Sequence, residues 1–236
     1  MKVGTKSVLF GAHQFLIHPF WLFISWWKLY GFPWDPRLWV AFFVHDLGYY
    51  GKSNMDGEEG ETHVELGAKI MGFLFDKKYV EMEYKKIPIS KRKFSSLELS
   101  KYLDDGWKIK LEYQSCKSPN YFELERPRNN KHIKWHDFCL YHSRFYAKKD
   151  GKQYSKLCVA DKYAICIEPW WLYLPRVNWS GEILEYMNAS KNGDGKYKHM
   201  NITTENQHKW HKDMITYLKK WVKEHKEIKE DTWTEI

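Results

Sequence analysis

The feature that most constrains this chain is an apolar run that ends in a histidine and an aspartate. Residues 38–44 are all apolar and lead directly into His45-Asp46. Asp35-Pro36 before the run is typical of a helix N-cap followed by proline at the first helical position, and Gly48 supplies a stop. The start signal and the length favour a buried helix over a buried strand.

An aspartate at the end of a buried helix needs a partner. Isolated ionised carboxylates in apolar surroundings are costly, so we expect Asp46 to be paired, neutralised or bound to a metal. Neighbouring side chains on a helix diverge by roughly 100°. His45 and Asp46 are therefore better placed to reach two adjacent ions than to chelate one ion from the same side. For this pair taken alone, an ordinary helix end is the alternative.

A second apolar helix is predicted to begin near His63. Thr62 and Glu65 fit a capping box, with Thr62 as the N-cap residue. Apolar residues then recur at helical spacing: Val64, Ala68, Met71 and Phe75. This arrangement places His63 in the first turn of a packed helix, facing back toward the preceding loop.

Two histidines compete for a place upstream of the His-Asp pair. His13 lies in a stretch of small residues, whereas His18 comes just before Pro19, which suits the first turn of a helix over residues 19–30. Either histidine alone is equally well explained as a satisfied core residue. We favour His18 as the metal ligand because of this position and because it precedes His45 by 27 residues.

Residues 131–147 are predicted to form one helix with an apolar face. That face carries Trp135, Phe138, Cys139, His142, Phe145 and Tyr146. His142 is therefore expected to point inward. A second His-Asp pair, His136-Asp137, falls off the face and is expected to be exposed. Arg144 lies to one side, where it can reach a phosphate.

A further helix, predicted over residues 154–167, carries an aspartate on its apolar stripe. The stripe consists of Leu157, Cys158, Asp161, Ala164 and Ile165. A carboxylate that faces the core needs compensation. A salt bridge from Asp161 to a neighbouring lysine and a bond to a metal are the two competing interpretations.

The composition limits the fold and the partners. A chain of 236 residues is long enough for one domain with a substantial core. The aromatic content of 18% suggests a core or a pocket built on rings. The net charge of +8 favours anionic partners, which include phosphates, nucleotides, nucleic acid and membrane surfaces. The sequence contains no P-loop, GxGxxG or GxSxG motif, so nucleotide-binding folds and serine hydrolases have no support.

The cysteines and the apolar segments bear on the cellular environment. Cys116, Cys139, Cys158 and Cys166 show no CxxC spacing and are interpreted as reduced packing residues. Residues 15–27 are apolar but too short to span a bilayer, and a proline interrupts them. No signal-peptide cleavage site follows. We therefore expect a cytoplasmic protein without a membrane span.

Residues 76–130 differ from the rest in being rich in charge. Residues 106–113 alternate like a strand. We interpret 76–130 as an insertion with a short helix and a small β-hairpin, placed within a single, mainly α-helical domain. It contains a basic cluster that is either a solvated face or a binding surface for a polyanion: Lys85, Lys86, Lys91, Arg92 and Lys93.

The C-terminal part is predicted to contain a loop and a capping helix. Residues 169–175, with two prolines and two tryptophans, are interpreted as an aromatic loop that walls a pocket. Residues 204–228 are predicted to form a last amphipathic helix, capped by Thr204. Its two histidines, His208 and His211, have charged neighbours and are expected to be on the surface.

The inward polar residues form one set. In chain order they are His18, His45, Asp46, His63, His142 and Asp161. Four imidazoles and two carboxylates can bind two metal ions, with one carboxylate bridging them. Mixed nitrogen and oxygen ligands suit Mn, Fe, Ni, Co or Zn. Two ions roughly 3.5–4 Å apart form the usual clamp for hydrolysing a phosphate ester.

This order and spacing resembles the HD-domain metal-dependent phosphohydrolase superfamily, whose pattern is H…HD…H…H…D on an all-helical core. VHDLG, THVELGA, YHSR and VADKYA carry the resemblance, which covers about residues 12–75 and 131–168. It implies an HD-type helical bundle. By this resemblance, the first ion is held by His18, His45, Asp46 and Asp161. His63 and His142 complete a second site, and Asp46 bridges the two.

The chain departs from the family pattern at identifiable positions. Tyr49 stands where many members have lysine, and Tyr141 replaces the first of two usual histidines. No GYP motif follows His142, which argues against the cyclic-di-GMP phosphodiesterase branch. The absence of HDxxED argues against an alarmone hydrolase of the stringent-response type. Members with one ion lack the extra histidines, so two ions are expected.

The resemblance implies that a metal-bound hydroxide attacks a phosphorus atom. We expect Lys52, Arg144 and Lys162 to neutralise the phosphate. A phosphate-containing small molecule, and a nucleotide in particular, is the expected substrate. A mononucleotidase, a triphosphohydrolase and a phosphodiesterase all remain open.

The general acid or base is expected in the loop between the ligands. Glu58, Glu59 and Glu61 are the candidates, and for each a solvated acidic loop is the alternative. Two other classes of function remain. One is an HD-fold module that binds a nucleotide or nucleic acid without turnover. The other is an RNA- or membrane-associated protein that uses the basic insertion and the tryptophan-rich N-terminus.

Overall fold

The chain is mainly α-helical, as the sequence predicts. The structure is a computed structural model that describes residues 1–76, 82–88, 102–104, 107–109, 121–127, 134–193, 197 and 200–227. It divides into two units, one formed by Met1–Asp76 with Ile133–Ile236 and the other by Lys77–His132. The first unit is helical, and the second contains a small sheet.

The helical unit contains eleven α-helices among the described residues. They are α1 (Val3–Phe10), α2 (Ile17–Tyr30), α3 (Pro36–Val44), α4 (Glu58–Glu61), α5 (Val64–Phe75), α6 (Trp135–Leu140), α7 (Arg144–Lys149), α8 (Lys156–Ile167), α9 (Trp170–Ser180), α10 (Glu182–Asn192) and α11 (Gln207–His225). A 3₁₀ turn, Leu47–Tyr49, follows α3.

The starts of α2 and α3 follow from proline and cap chemistry. The Asp35 carboxylate accepts a hydrogen bond from the backbone N–H of Arg37, and Pro36 occupies the first turn, so the predicted N-cap of α3 is confirmed. Helix α2 begins at Ile17, two residues earlier than predicted. Pro19 still lies in the first turn, where its missing N–H costs nothing. His18 is therefore inside the helix and not before it.

The predicted capping box at the start of α5 is wrong. The N-cap residue is His63, and it makes no side-chain cap hydrogen bond. Thr62 has helical backbone angles because α4 runs almost directly into α5, so its hydroxyl donates to the Glu59 carbonyl. The Glu65 carboxylate is used elsewhere, as the acceptor of a hydrogen bond from the Tyr146 hydroxyl.

The single helix predicted over 131–147 is two short helices. The helix is interrupted at residues 141–143, between α6 and α7. Ser143 caps α7 by accepting a hydrogen bond from the Tyr146 N–H. Asp76 caps the start of α6 by accepting from the N–H groups of Trp135 and His136. The break matters because His142 lies in it.

The aromatic segment 169–175 is a helix and not the predicted loop. Pro169 precedes α9, where a proline is tolerated, and Pro175 lies inside α9. Leu174 and Val177 are buried in the core, so packing offsets the missing backbone bond. The predicted helix over 204–228 is α11, and its cap is Asn206, which accepts from Lys209 N–H, instead of Thr204.

Two clusters of buried side chains form the core of the helical unit, and α8 contributes to both. Leu157, Ala160 and Ala164 pack with residues of α2, α3, α5 and α6. Cys158 and Val159 pack with residues of α9, α10 and α11. Helix α8 is thus a central element, which fixes the position of Asp161.

The second unit contains a three-stranded antiparallel sheet in the order β1-β3-β2. Its strands are β1 (Met82–Pro88), β2 (Lys108–Ile109) and β3 (Tyr121–Pro127). Trp107 and Leu124 are buried here, with Tyr102 packed against them. The turn that would make a hairpin of β2 and β3 lies outside the described residues. So does most of the predicted basic cluster, of which the Lys85 side chain is exposed and donates to the Tyr102 hydroxyl.

Two composition-based predictions can be compared with the described residues. Cys139, Cys158 and Cys166 are free and buried, as predicted, whereas Cys116 lies outside the described residues. Among the described helices, none combines the length and the apolar character that crossing a membrane requires.

Candidate metal centre

Six polar side chains from separate parts of the helical unit converge at one place. Among the described residues, two groups of histidine and acidic side chains could hold a metal ion. The first group is His18, Asp161 and the pair His45-Asp46; the second is Asp46 with His63 and His142. Within each group the potential ligand atoms lie within 4.8 Å of one another. These are the six residues that the sequence singles out.

The first group places two imidazoles against two carboxylates. His18 Nε2 lies 3.0 Å from Asp161 Oδ1 and 3.3 Å from Asp46 Oδ2. His45 Nε2 lies 3.0 Å from Asp46 Oδ2 and 3.9 Å from Asp161 Oδ1. Helix α2 supplies His18, the end of α3 supplies His45, and the central helix α8 supplies Asp161. All of these side chains are at least mostly buried.

The second group uses the other oxygen of the shared aspartate. His142 Nε2 lies 3.3 Å from Asp46 Oδ1, and His63 Nε2 lies 3.6 Å from the same oxygen. The two Nε2 atoms are 3.3 Å apart. Asp46 therefore presents Oδ2 to one group and Oδ1 to the other, which is the arrangement of a carboxylate that bridges two ions.

Backbone carbonyls orient three of the imidazoles. The Nδ1 atoms of His45, His63 and His142 lie 3.1, 2.7 and 2.5 Å from the carbonyl oxygens of Phe42, Gly60 and Cys139, respectively. A carbonyl can only accept, so Nδ1 carries the hydrogen in each ring. In the neutral ring, Nε2 is then left with a lone pair that faces the cluster, which is the tautomer a metal ligand needs.

Several cluster atoms lack the hydrogen bonds that burial demands. His18 Nε2, His45 Nε2 and Asp46 Oδ2 are buried and make no hydrogen bond of acceptable geometry. Unsatisfied buried polar atoms are rare in folded proteins. Three of them meeting at one point fit a cation, since nitrogen lone pairs and carboxylate oxygens are its ligands.

The charges of the cluster compensate one another. Burial raises the pKa of a carboxyl group, but the surrounding histidines outweigh it and hold the pKa of Asp46 and of Asp161 well below the usual range. Burial lowers the pKa of His45, yet the two carboxylates together raise it to about 10. Burial and repulsion by His142 lower the pKa of His63 to about 3. His63 is thus neutral, as a ligand must be, whereas His45 has to release a proton when a metal binds.

The turn after α3 brings His63 close to Asp46. A Cβ on Gly48 would lie 1.8 Å from the His63 carbonyl oxygen, so only glycine permits this approach. The next residue, Tyr49, stacks on the His63 ring at a centroid distance of 3.9 Å and an angle of 8°. The tyrosine that departs from the family pattern therefore supports a candidate ligand.

A fifth histidine, His13, adjoins the cluster. His13 Nε2 lies 4.0 Å from Asp46 Oδ2, and its Nδ1 lies 2.8 Å from Ser7 Oγ and 3.6 Å from Glu182 Oε2. Burial lowers the pKa of His13, but the two carboxylates raise it above its ordinary value. Glu182 is fully buried and accepts hydrogen bonds from the Ala12 N–H and the Ser180 and Tyr186 hydroxyls. His13 is held beside the ligands without belonging to either group.

Sequence reasoning missed Glu182. An acidic residue in the first turn of a helix is common, because the helix dipole favours it. Nothing near Glu182 in the sequence indicates that it faces His13, about 170 residues earlier.

The predicted phosphate-binding cations are distributed around the cluster. Lys162 Nζ lies 3.7 Å from Asp161 Oδ2. Burial lowers the pKa of Lys162, but neighbouring groups that include Asp161 hold it above its ordinary value. The Arg144 guanidinium lies over the Trp221 ring, 5.0 Å from its centroid. Lys52 donates to the Thr62 hydroxyl at 2.5 Å. Lys162 is thus the lysine in direct contact with a candidate ligand.

The acidic loop contributes one residue near the cluster. Glu61 accepts a hydrogen bond from the Ser143 hydroxyl at 3.2 Å, beside His142. Glu59 accepts from the Ser53 N–H and pairs with Lys2, so it stabilises the loop. The backbone of Glu58 begins α4, and its side chain lies outside the described part of the structure.

The remaining histidines separate into exposed and buried ones. His136 Nδ1 lies 3.0 Å from Asp137 Oδ1 on the surface, with 41% of each side chain exposed, as predicted. His208 is exposed, as predicted, but the prediction is wrong for His211, which is buried against Tyr173. Burial and the charge of His208 lower the pKa of His211 to about 4.

Comparison with known proteins adds no family assignment. No protein-family model, no curated protein and no solved structure matches this chain.

Proposed function

We propose that this protein is a metal-dependent phosphohydrolase of the HD type that uses two divalent transition-metal ions. The observation that carries the proposal is the shared aspartate: Asp46 offers Oδ2 to one histidine group and Oδ1 to the other. Two ions bridged by one carboxylate are the usual apparatus for hydrolysing phosphate esters and anhydrides.

The ligand set supports a transition metal. Four imidazoles and two carboxylates provide mixed nitrogen and oxygen donors, which suit Mn, Fe, Ni, Co or Zn. Magnesium and calcium prefer sites made of oxygen ligands. The backbone carbonyls that orient His45, His63 and His142 supply the outer hydrogen bonds that such ligands normally have.

The order of the ligands along the chain supports the HD type. The histidine of α2, the His-Asp pair after α3, the histidine at α5, the histidine after α6 and the aspartate of α8 follow the pattern H…HD…H…H…D. In this chain each comes from a helix or a helix end. The order of these residues and their positions on helices support the proposal of an HD type.

The surrounding residues supply the other requirements of phosphate hydrolysis. When bound, divalent ions would neutralise the phosphate and lower the pKa of a coordinated water. Lys162, beside Asp161, and Arg144, whose charge acts on Lys162, would bind the phosphate oxygens. Glu61, positioned by Ser143, is the nearest candidate for a general acid or base.

The substrate class rests on charge. A net charge of +8 favours polyanionic substrates. Among phosphate compounds, a nucleotide also has a base that aromatic side chains can contact, and the aromatic content of this chain is 18%. We therefore propose a nucleotide as the substrate, without choosing between monoester, diester and triphosphate.

The proposal is tested by elemental analysis of the purified protein together with a panel of phosphate monoesters, diesters and nucleotides, each assayed with Mn, Ni, Co and Mg. We expect about two transition-metal ions per chain and hydrolysis of at least one nucleotide class. Asp46→Ala should abolish both. Asp137→Ala changes the aspartate of the exposed His-Asp pair and should leave both unchanged.

The outcomes distinguish the classes of function. Bound metal without hydrolysis of any substrate would indicate a non-catalytic module that binds a nucleotide or nucleic acid. Full metal occupancy in Asp46→Ala would refute the site.

A separate test concerns Asp161, which contacts His18 and also Lys162. As a ligand, Asp161→Asn should lower metal affinity and turnover, whereas the metal-free variant should keep its fold because the amide no longer repels Asp46. As a structural salt bridge, the substitution should leave the metal bound and lower the melting temperature of the metal-free protein. Melting curves with and without chelator separate the two roles.

A further inference from the structure

The N-terminal part of the chain carries an unusual combination of charge and aromatic residues. Residues 1–34 contain no aspartate or glutamate. Helix α2 buries one side in the core through Leu22 and Trp26, yet its opposite side is also aromatic. An ordinary amphipathic helix would present polar residues on that side.

The outward rings form one continuous surface, which we call the aromatic face. It consists of Phe23, Trp27, Phe32, Trp34 and Trp39. Phe23 stacks on Trp39 at 4.7 Å, and Phe32 contacts Trp27 at 5.5 Å and Trp34 at 4.5 Å between ring centroids. Two helices, α2 and α3, and the loop 31–35 between them thus contribute to one patch.

Much of the aromatic face is in contact with solvent. Trp34 is 84% exposed at the tip of the loop, and Trp27 is 53% exposed on α2. Phe20 and Phe43, on α2 and α3, are exposed as well. Isolated exposed rings need no explanation, but a continuous apolar patch is typical of an interaction surface.

A basic rim borders the aromatic face at Tyr30, the last residue of α2. Lys28 is exposed in the last turn of α2. The Lys156 ammonium lies over the Tyr30 ring, 4.9 Å from its centroid. The Tyr30 hydroxyl donates to the Lys226 backbone carbonyl at 3.0 Å, and Glu227 follows Lys226 in the chain. Lys28 and Lys156 outnumber Glu227, so the edge keeps a net positive charge.

We propose that the aromatic face and its basic rim bind the interfacial region of a bilayer that contains anionic lipids. Tryptophan prefers the headgroup level of a membrane, because its ring is apolar and its N–H is polar. Lysines beside it add attraction to anionic headgroups. The protein would lie on the surface in the manner of a peripheral protein.

A second copy of the chain is the competing occupant. In a symmetric dimer the same patch meets itself, so Lys28 and Lys156 of one copy would be brought toward the same lysines of the other. Like charges at an interface are unfavourable. An anionic bilayer complements both the rings and the rim, which is why we assign the face to a membrane surface.

The test is co-sedimentation of the full-length protein with phosphatidylcholine vesicles with and without phosphatidylglycerol. We expect binding to the anionic vesicles that weakens as salt is added. Trp27→Ser combined with Trp34→Ser should weaken it at least about tenfold, because two indoles no longer leave water. Lys28→Glu combined with Lys156→Glu should abolish the preference for phosphatidylglycerol. Trp171→Ser, at a tryptophan of α9 that is 62% exposed, is the matched control and should bind like wild type.

Two outcomes would overturn the proposal. Vesicle binding equal in wild type and in the Trp27/Trp34 variant would show that the aromatic face is not the contact. No vesicle binding, together with a dimer in analytical ultracentrifugation that this variant dissociates, would assign the face to a second copy. Unchanged metal content and melting temperature in every variant ensure that a loss of binding does not reflect unfolding.

Discussion

At the scale of single residues, one aspartate organises the candidate metal centre. Asp46 faces His18 and His45 through one oxygen and His63 and His142 through the other. The histidines hold its pKa well below the usual range against the effect of burial, so it is ionised and available as a bridge. Each of the four histidines of the cluster therefore has its Nε2 atom close to one of the two Asp46 oxygens.

His18 and His13 are expected to differ in metal binding, although both approach Asp46. His18 Nε2 is 3.3 Å from Asp46 Oδ2 and is left without a hydrogen bond, whereas His13 is 4.0 Å away and its Nδ1 is engaged by Ser7. His18→Ala should lose at least one bound ion. His13→Ala should keep most of the metal, as measured by elemental analysis after gel filtration. The reverse result would move the site toward α1.

His211 is expected to make stability depend on pH. Its pKa is lowered to about 4 by burial and by His208, below the ordinary value of 6.5. The folded state therefore binds fewer protons than the unfolded state between these values. The contribution of His211 to the free energy of unfolding is fully present above about pH 6.5. It is lost as the pH falls toward 4, which lowers the free energy of unfolding by up to about 3 kcal/mol.

Denaturant titrations at pH 7.5 and pH 4.5 measure this effect. His211→Gln should show a smaller loss of stability between the two pH values than wild type. His136→Gln, at an exposed histidine, should match wild type. Equal losses in His211→Gln and wild type would contradict the prediction.

At the scale of elements, the centre depends on how closely helices approach. Helices α3 and α5 cross where Gly67 lies against the backbone of Val44 and His45. A Cβ on Gly67 would lie 2.7 Å from the Val44 carbonyl oxygen and 2.9 Å from His45 Cα. Both helices end or begin at candidate ligands, so their separation sets the distance between His45 and His63.

Gly67→Ala should therefore be destabilising, even though alanine favours a helix. The backbone of Val44 and His45 has to move away from the added Cβ. This lowers the free energy of unfolding by about 1–3 kcal/mol and the melting temperature by roughly 3–10 °C. Metal affinity should fall as well. Gly72→Ala in the same helix is the control, since its Cβ would lie 3.1 Å from His136 Cβ, a contact that a shift of a few tenths of an ångström relieves. Differential scanning calorimetry compares the two; equal melting temperatures would contradict the close approach.

At the scale of the molecule, the candidate ligands found among the described residues belong to one of the two units. All six lie in Met1–Asp76 or Ile133–Ile236. Met1–Asp76 and Ile133–Ile236, the two segments of the helical unit, are in contact close to the positions where residues 77–132 are inserted. Asp76 Oδ1 accepts a hydrogen bond from Trp135 N–H at 2.7 Å.

Replacing residues 77–132 with a short flexible linker of about six residues should therefore leave a folded protein. We expect the shortened protein to bind the same number of metal ions as the full chain, by elemental analysis. Its circular dichroism should indicate a higher helical fraction, because the sheet is removed. Loss of the metal in a shortened protein that remains helical would show that the second unit contributes to the centre.

Sequence reasoning succeeded where the determining interactions are local. The cap at Asp35 and the inward direction of Asp161 depend on residues within a turn or two. His142 is buried as predicted, although it lies in the break between α6 and α7 and not on a helical face. Sequence reasoning failed at α5, α6 and α9, where contacts with neighbouring elements determine where a helix begins and ends. Thr62 is no cap because α4 precedes it, and segment 169–175 is helical because packing compensates for Pro175.

The amino-acid sequence by itself determined the mainly helical class, the order of the six candidate ligands and the absence of acidic residues from the first 34 positions. Periodicity, caps and composition are properties of short stretches, and these can be read without a structure. Only the tertiary structure decided how the two oxygens of Asp46 divide between the histidines and that Glu182 lies behind His13. It also decided that five rings join into one exposed face. These features depend on distances between helices far apart in the chain, and helix packing alone sets those distances.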